Sequence, residues 1–300
     1  MTNARLLLGG LLIFGTACTS TPSKPTPPDP GPDPGPVVQN TPPTIGAFRA
    51  QGSRTGQPAG FADLGESIAL SVTVTDPESA ASGLTFNWAS TVGTFSGTGP
   101  SVTWQAPANA TTPMDVTLVV EVVETYQSQG RNLQNRVTGS TTVSLHNSIR
   151  EVSDLATQFL FDFSSSSLSV DYVMRNFEPG CYGTAAETSD VTENRQDFTI
   201  IESNIGAANT SVGFGGACSY RNRPGDSCAR VPVFWKSRAK RDLYDSRGRL
   251  VLREGETAIA TGIDQVAAMY YPSQKRWRLC DSAFQSGSTS LTDVLKGLVP

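Results

Sequence analysis

The chain has 300 residues, of which 38% are hydrophobic and 17% charged, and its net charge is −4. This length is enough for two domains of ordinary size, each with its own core. The acidic balance gives no reason to expect a nucleic acid partner, and the presence of one histidine in the whole chain argues against a His-dependent triad or a His-rich metal site.

The first seventeen residues have the form of a secretory signal. Arg5 gives the N-terminus a positive charge, residues 6–14 are an apolar run, and residues 15–17 are the small residues Gly, Thr and Ala. An apolar run of this length is too short to cross a bilayer, which takes about twenty residues. Residues 1–17 are therefore predicted to be removed on export.

Cys18 follows these small residues and resembles the modified cysteine of the lipobox in bacterial lipoproteins. The resemblance implies that Cys18 carries a lipid, that the signal is cut before it, and that acyl chains hold the protein to a membrane. Thr19 follows instead of Asp, which by analogy with the family implies the outer membrane. Gly15 stands where the family prefers Leu, and residues 15–17 also suit an ordinary cleavage site, which leaves free secretion as the alternative.

Residues 18–43 are predicted to be a disordered tether. Ten of the chain's twenty prolines lie between Thr19 and Pro43. Proline restricts φ and has no backbone donor, so this composition opposes both helix and sheet and favours polyproline II at about 3.1 Å per residue. We expect the segment to hold the rest of the protein away from the membrane.

Between residues 44 and 147 hydrophobic and polar residues alternate in short runs. The clearest runs are residues 68–74, 84–88, 102–106 and 116–122. Period-two alternation separated by turn residues predicts antiparallel strands with one buried face, as in a β-sandwich. Trp88 and Trp104 are expected in its core.

Several segments of this region resemble Ig-like and PKD-like domains of bacterial surface proteins. They are residues 41–45, 74–78, 84–88, 93–95 and 102–107. The resemblance covers about a third of the chain and implies an Ig-like β-sandwich, a fold that serves as spacer, protein binder or sugar binder. The Gly-and-Asp turn of the PKD motif is absent after Trp88. Asp76 and Glu78 are expected to cap a turn rather than to bind calcium.

Residues 148–300 are predicted to form an α+β head domain, with helices first and a curved antiparallel sheet after them. Ser148 and Glu151 have the spacing of a capping box. Helices are expected over 149–163, 170–177 and 291–298, and strands over 198–201, 231–235, 250–252, 258–271 and 276–280. The order of elements is similar to the cone-shaped fold of nuclear transport factor two and its bacterial relatives, which implies a pocket between sheet and helices.

Besides Cys18, four cysteines occur, all in the last 120 residues: Cys181, Cys218, Cys228 and Cys280. In an exported chain an even number predicts two disulfides, with three possible connectivities. We favour Cys218–Cys228, across a loop that contains Pro-Gly, and Cys181–Cys280, between the helices and the last strand. No two cysteines have the close spacing of a zinc knuckle, and neither a metal nor a cofactor is expected.

No motif in the sequence assigns a catalytic activity. His146 lies between the two predicted domains and is expected to be an exposed linker residue rather than a base. Ser237 and Lys240 match the Ser-x-x-Lys pattern of penicillin-interacting enzymes, but the companion Ser-Asp-Asn and Lys-Thr-Gly motifs are absent. A non-enzymatic role is therefore favoured, and the question of an enzyme stays open.

Residues 218–300 carry 14 basic and 8 acidic side chains. Candidate contacts to an anionic partner are Arg238, Lys240, Arg241, Arg276 and Arg278. Alternation along the last strand predicts that Trp277 and Leu279 face the core, and that Arg276 and Arg278 share the other face. The partner is a phospholipid, an acidic polysaccharide or an envelope protein, unless these charges form only a solvated face.

Together these patterns predict a non-enzymatic lipoprotein of the outer membrane. An Ig-like spacer presents a C-terminal binding domain to an envelope or extracellular partner. The alternative is an enzyme or small-ligand binder that uses a cone-like pocket in the head.

Overall fold

The computed structural model describes residue 31 and residues 35–181, 184–215, 227–245 and 247–283. The predicted signal, Cys18, most of the tether, Cys218 and the predicted last helix at 291–298 lie outside the described residues. The described chain is mainly β with curved sheets, as the alternation predicts. None of its helices is long and apolar enough to cross a membrane.

Residues 44–146 contain eight strands in two four-stranded sheets. The strands are β1 Thr44–Gly52, β2 Phe61–Asp63, β3 Ser67–Thr75, β4 Thr85–Ser90, β5 Thr94–Ser96, β6 Ser101–Gln105, β7 Met114–Ser128 and β8 Arg131–His146. One sheet has the order β1-β3-β6-β5 and the other β2-β8-β7-β4. Neighbours are antiparallel except β2 and β8, which are parallel.

The two sheets pack face to face around a common apolar core. Trp104 of β6 is fully buried, and its indole Nε1 donates to the carbonyl of Val92 at 3.0 Å. Trp88 of β4 is half-buried, and its ring meets Phe48 edge to face with centroids 5.4 Å apart. Of the two tryptophans expected in the core, Trp104 lies at its centre and Trp88 at its margin.

Asp76 caps the turn after β3, as the sequence predicts. Its Oδ1 accepts from the backbone amide of Glu78 at 2.9 Å and from that of Ser79 at 2.6 Å. The carboxylate of Glu78 accepts in turn from the hydroxyl of Thr41 at 3.1 Å. These bonds close the turn and hold the segment that precedes β1, here called the incoming chain, against the sandwich.

Three helices precede the sheet of the head: α1 Ser148–Ser164, α2 Val170–Val173 and α3 Thr184–Asp197. The capping box predicted for α1 is right for Glu151, whose Oε1 accepts from the backbone amide of Asn147 at 2.9 Å, and wrong for Ser148. Asn147 is the N-cap, and its Oδ1 accepts from the amide of Arg150 at 3.2 Å. The hydroxyl of Ser148 instead donates to Asp63 Oδ1 of the sandwich at 2.6 Å, so this side chain is used between the two units.

Helix α3 was not expected from the sequence. Its residues are mostly polar, and Val191 is the one apolar side chain that it buries fully. The buried positions on the same helix include Glu187, Asn194 and Asp197. Because polar partners rather than an apolar stripe hold this helix, the periodicity that identifies α1 is missing here.

The described part of the head contains seven further strands: β9 Phe198–Ile205, β10 Ser211–Phe214, β11 Ser227–Ala239, β12 Leu243–Tyr244, β13 Leu250–Leu252, β14 Thr257–Tyr271 and β15 Arg276–Ala283. The main sheet has the order β10-β11-β14-β15, with β9 also paired to β11, and β12 pairs with β13 apart from it. Phe159 and Phe163 of α1 pack on its inner face with Trp235, Trp277 and Leu279. Trp277 and Leu279, 3% and 0% exposed, face the core as predicted.

A side chain of the sandwich packs into the apolar core of the head. Phe61 of β2 belongs to the buried cluster of the head, and its ring centroid lies 4.8 Å from that of Tyr270 and 5.3 Å from that of Phe214. Nearby, Gly56 has φ of +77°, and a Cβ added to it would lie 2.8 Å from the backbone of Gly215. The two units therefore meet in a close-packed junction rather than through a linker.

The chain enters the sandwich at the end of β7 that lies away from the head. The amide of Gln129, in the turn between β7 and β8, donates to the carbonyl of Pro36 at 3.3 Å. The other end of β7 is at the head, where Asp115 pairs with Lys275 at 2.7 Å. Strand β7 has 15 residues, which span about 50 Å. In the head, β14 runs from Tyr271 beside this junction to a distal end at Thr257.

Candidate functional site

His146 lies fully buried in the junction, so its predicted exposure is wrong. Its Nδ1 is 2.8 Å from Glu151 Oε2, and its Nε2 is 2.9 Å from Ser144 Oγ. The imidazole stacks on Phe61, with centroids 4.9 Å apart. The burial was missed because β2 and β14, far away in sequence, supply the rings that cover His146. The alternation of β8 gave no signal of this burial, because His146 has the phase of the exposed Thr142 and not that of the buried Val143 and Leu145.

Ser144, His146 and Glu151 have the hydrogen-bond order of a Ser–His–acid triad. Ser144 is only 5% exposed, and the hydroxyl of Tyr270 lies 3.3 Å from the same imidazole nitrogen. A nucleophilic serine needs a substrate carbonyl beside it and donors for the developing oxyanion, whereas here Phe61 and Tyr270 enclose the group. We interpret the cluster as a polar network that joins the sandwich to the head.

The surroundings set the charge of this network. Burial opposes the ionisation of Glu151, but the hydrogen bond and charge of His146, with the amide of Asn147, outweigh it, and the pKa of Glu151 lies below its ordinary value. Burial raises the pKa of Tyr270, opposed by a hydrogen bond with Ser144 and reinforced by the charge of Glu151. At neutral pH Glu151 is thus a carboxylate and Tyr270 a neutral phenol.

A cleft of about 370 Å³ opens beside this network. Its walls come from Pro113 of the sandwich, Leu155 of α1, and Arg276 and Trp277 of β15. Glu151 lies at its base with 15% of the side chain exposed. Arg276 therefore belongs to the junction end of the head.

The structure does not bring the five candidate basic residues together. In the strand register, Arg276 of β15 lies opposite Tyr271 at one end of β14, and Arg238 of β11 lies opposite Thr257 at the other end. The strand has 15 residues, so these ends are about 50 Å apart along it. Lys240 and Arg241 follow β11 at the distal end, beside Arg238.

Arg278 is held inside the head and does not share an exposed face with Arg276. Its Nη2 donates to the carbonyl oxygens of Arg175 at 3.1 Å and Phe177 at 3.0 Å, and its Nε lies 3.6 Å from Glu178. The cause is the bridge between Phe177 and Leu279, which brings the carbonyls of that segment over β15. Alternation still sets both arginines opposite the buried Trp277 and Leu279, but these carbonyls cover Arg278 and leave Arg276 exposed.

Of the three candidate basic residues at the distal end, Lys240 and Arg241 already have partners within the protein. Lys240 Nζ donates to the carbonyl of Arg195 at 2.7 Å, and Arg241 Nη2 lies 2.6 Å from Asp197 Oδ1. Both stabilise the C-terminus of α3, where unpaired carbonyls attract cations. The side chain of Arg238 makes no hydrogen bond or ion pair with any residue that the structure describes, and it is exposed.

A second cleft, of about 280 Å³, lies at this distal end. It opens between the last turn of α1, the last turn of α3 and the first residues of β9. Its walls include Phe163, Val170, Phe198, Ile200, Arg195 and Lys240. We refer to it below as the distal cleft.

The Ser-x-x-Lys pattern does not form a catalytic pair. Ser237 is 1% exposed on β11. Lys240 lies beyond the end of that strand, and its Nζ is bound to the carbonyl of Arg195. The two side chains therefore have separate surroundings and no shared substrate position.

Cys181 and Cys280 form the disulfide that the sequence predicts, with Cα atoms 5.4 Å apart, within the usual range for such bridges. The bridge joins the segment before α3 to β15. Cys228 is also disulfide-bonded, and its predicted partner Cys218 lies outside the described residues. Within the described ranges, no group of three or more His, Cys, Asp or Glu side chains is placed to hold a metal ion.

No protein-family model matches the chain, and comparisons with curated proteins and with solved structures found no match. The function therefore has to be inferred from the residues of this chain. Reactive or charged side chains converge around His146 in the junction and around Lys240 at the distal end of the head.

Proposed function

We propose that the chain is a non-enzymatic, lipid-anchored protein of the bacterial outer envelope whose head binds an anionic partner. Cys18 carries the lipid, residues 18–43 form the tether, and the sandwich is an Ig-like spacer. The distal end of the head, around Arg238, meets the partner. If Cys18 is not lipidated, the same binding protein is secreted.

The strand order supports an Ig-like or PKD-like spacer. The order β1-β3-β6-β5 corresponds to the A-B-E-D sheet of Ig domains, and β4, β7 and β8 correspond to C, F and G. Strand β2 adds an edge beside β8. In the head, helices before a curved sheet agree with the resemblance to the nuclear transport factor two fold.

The observation that carries the proposal is the position of the distal cations relative to the tether. The chain enters at Pro36, beside the turn that follows Ser128, whereas Arg238 lies at the far end of the head. The packing of Phe61 into the core of the head joins sandwich and head into one body, because close-packed interiors resist deformation. A tether at one end of such a body holds the other end away from the membrane.

The character of the distal surface favours an anionic lipid over the other partners. The β12–β13 hairpin, which connects β11 to β14 after Arg238, exposes Tyr244 and Leu250, at 51% and 40%. Cations together with exposed apolar side chains suit an interface that offers both phosphate groups and acyl chains. Binding to a polysaccharide or to a protein is an alternative outcome of the test.

The absence of a substrate path to Ser144 and His146 supports a non-enzymatic role. Both side chains of this network are enclosed, at 5% and 0% exposure. Catalysis would require the junction to open, and the apolar contacts of Phe61 and Tyr270 would be lost with it.

The binding test uses the full chain with Cys18→Ala, so that the protein stays soluble. Sedimentation with phosphatidylglycerol-containing vesicles should exceed that with phosphatidylcholine vesicles and should fall as salt rises, because exposed charges are screened over about 10 Å at 0.1 M. Arg253 is exposed in the turn between β13 and β14, near the Thr257 partner of Arg238 on β14. Arg238→Glu with Arg253→Glu should remove most of this binding. The matched control, Arg49→Glu with Arg131→Glu, makes the same charge change on the sandwich.

Equal sedimentation with both vesicle types contradicts a lipid partner. Binding to polygalacturonate under the same conditions, sensitive to Arg238→Glu, would then assign an acidic polysaccharide. If the distal and control variants behave alike, the distal end of the head is not the binding surface.

A second candidate function is the binding of a small ligand by the head. The distal cleft favours it, since this cleft lies between the helices and the sheet and combines apolar walls with the cations of Arg195 and Lys240.

A further inference from the structure

The floor of the distal cleft is apolar and firmly packed. Phe163 and Phe198, both 3% exposed, lie at its base. Phe163 contacts Trp235 of β11 edge to face, with ring centroids 5.3 Å apart. Ile200 of β9 and Val170 of α2 continue this surface towards the opening. A hydrocarbon or aromatic group placed here would leave water for an apolar surface that already exists.

Two cations stand at the rim of this floor. Arg195 Nη2 donates to the carbonyl of Ser165 at 2.5 Å, and Lys240 Nζ donates to the carbonyl of Arg195 at 2.7 Å. Each contact fixes the direction of a long, flexible side chain. A guanidinium has five N–H donors and an ammonium three, so most of the donors of both groups are left for a ligand.

The charge around the cleft is positive. None of the described residues that line it is acidic. The nearest buried carboxylates have their own partners, since Asp197 pairs with Arg241 and Asp162 with Arg175. The partial negative charge at the C-terminus of α3 is met by Lys240. An added anion would therefore face two cations and no unpaired carboxylate.

We propose that the distal cleft binds an amphiphilic anion, in which one carboxylate, phosphate or sulfate group is attached to a short acyl or aromatic body. The anionic group lies between Arg195 and Lys240, and the apolar body rests on Phe163, Phe198 and Ile200. The inference rests on the proposal that the head is a binding module, and it names the ligand of that module. It does not depend on lipidation at Cys18.

The size of the cleft limits the ligand. Its volume is about 280 Å³, which equals the share of about nine molecules in liquid water. This suits one short chain or one ring with its head group, and it excludes complete burial of a two-chain phospholipid. A phospholipid could enter with one chain end or its phosphate only, and the test separates these sources.

Calorimetric titration of the full chain with Cys18→Ala tests the proposal. The probes are octyl phosphate below its micelle concentration, inorganic phosphate and octyl glucoside. Octyl phosphate should bind at least about tenfold more tightly than either other probe, because it alone combines charge-assisted hydrogen bonds with apolar burial. Fluorescence of Trp235, next to Phe163, gives an independent readout.

Variants locate the site. Lys240→Gln should weaken the binding of octyl phosphate about tenfold or more, and Lys240→Arg should retain most of it. The matched control is Lys236→Gln, on β11 four residues before Lys240 but outside the cleft, and it should change nothing. Because Lys240 also caps α3, thermal melting must show that each variant is folded. Ser166→Trp, at the exposed rim, should block the cleft without removing a charge.

Equal binding of octyl phosphate and octyl glucoside, or equal losses in Lys240→Gln and Lys236→Gln, would overturn the proposal. Full binding by Ser166→Trp would do the same. If octyl phosphate fails while phosphatidylglycerol vesicles still bind through Arg238, the cleft inference falls and the binding function stands. If octyl phosphate binds and the vesicles do not, the ligand is a free amphiphile, and the proposal that the distal end of the head binds a lipid surface is wrong.

Discussion

The imidazole of His146 lies parallel to the ring of Phe61, with centroids 4.9 Å apart and 7° between the planes. Both residues lie on paired strands of the sandwich, β8 and β2, and both rings pack against Tyr270 of the head. These contacts therefore tie the stability of each unit to the other. A protein built this way is expected to unfold in a single transition over both units.

Replacement of His146 tests this coupling. His146→Ala removes the partner of the Glu151 carboxylate and leaves a cavity against Phe61, so we expect a loss of about 2–4 kcal/mol in the free energy of unfolding. Calorimetry should show one transition in the wild type and a lower Tm in the variant. Arg49→Ala, an exposed control on the sandwich, should stay within about 0.5 kcal/mol. Two separate transitions in the wild type would show that the sandwich and the head unfold independently and would contradict this coupling.

The lowered pKa of Glu151 predicts a loss of stability in acid. In the unfolded chain this group titrates near its ordinary value of 4.5, and in the folded protein at a lower pH. Its contribution is therefore present above pH 4.5 and disappears as the pH falls through the folded-state value. Denaturant titrations at a series of pH values should show this decline. The Glu151→Gln variant should be less stable than the wild type at neutral pH, and its free energy of unfolding should fall less below pH 4.5. If the two proteins lose stability in parallel as the pH falls, Glu151 does not contribute to the acid sensitivity.

Arg278 and Arg276 are expected to differ although they are neighbours on one strand. Arg278→Ala leaves the carbonyls of Arg175 and Phe177 without their donor, which should cost about 1–3 kcal/mol of stability. Arg276→Ala removes an exposed side chain, and its effect should stay within about 0.5 kcal/mol. Urea unfolding of the two variants makes the comparison. Similar values would mean that Arg278 is not anchored by these carbonyls.

The bridge between Cys181 and Cys280 should contribute strongly to stability. The two cysteines are 99 residues apart. In the chain-entropy model, closing a loop of this length raises the free energy of the unfolded chain by about 4–5 kcal/mol, because the chain loses conformational entropy. Cys181→Ala with Cys280→Ala should therefore lower Tm markedly. Peptide mapping without reduction should find Cys181 joined to Cys280 and Cys218 to Cys228. A peptide that joins Cys181 to Cys218 would refute both pairings.

Lipidation at Cys18 predicts a change in partitioning. Expressed in a bacterium that processes lipoproteins, the wild type should enter the detergent phase of a Triton X-114 separation, because acyl chains favour the micelle. Cys18→Ala should stay in the aqueous phase. Mass spectrometry of the mature N-terminus provides the control for cleavage before residue 18. Equal partitioning of both proteins would favour the freely secreted alternative.

Features set by local patterns could be predicted from the sequence. The alternation in β3, β6 and β7 predicts strands because successive side chains of an extended backbone point to opposite faces. The same rule placed Trp277 and Leu279 in the core. The bridge between Cys181 and Cys280 followed from the order of elements, since a helix layer and a last strand must pack together to bury their apolar faces.

Tertiary structure alone decided the surroundings of the polar side chains. His146 is buried because β2 and β14 bring Phe61 and Tyr270 around it, and Arg278 is enclosed because the segment at Phe177 crosses β15. The candidate basic residues separate because β14 is long enough to place Arg238 and Arg276 at its two ends. The apolar periodicity of a helix or strand can be recognised within its own residues, whereas the partners of a buried charge come from distant parts of the chain. The sequence by itself thus determined which stretches form strands and which faces they bury, and only the packed chain decided where its charges lie.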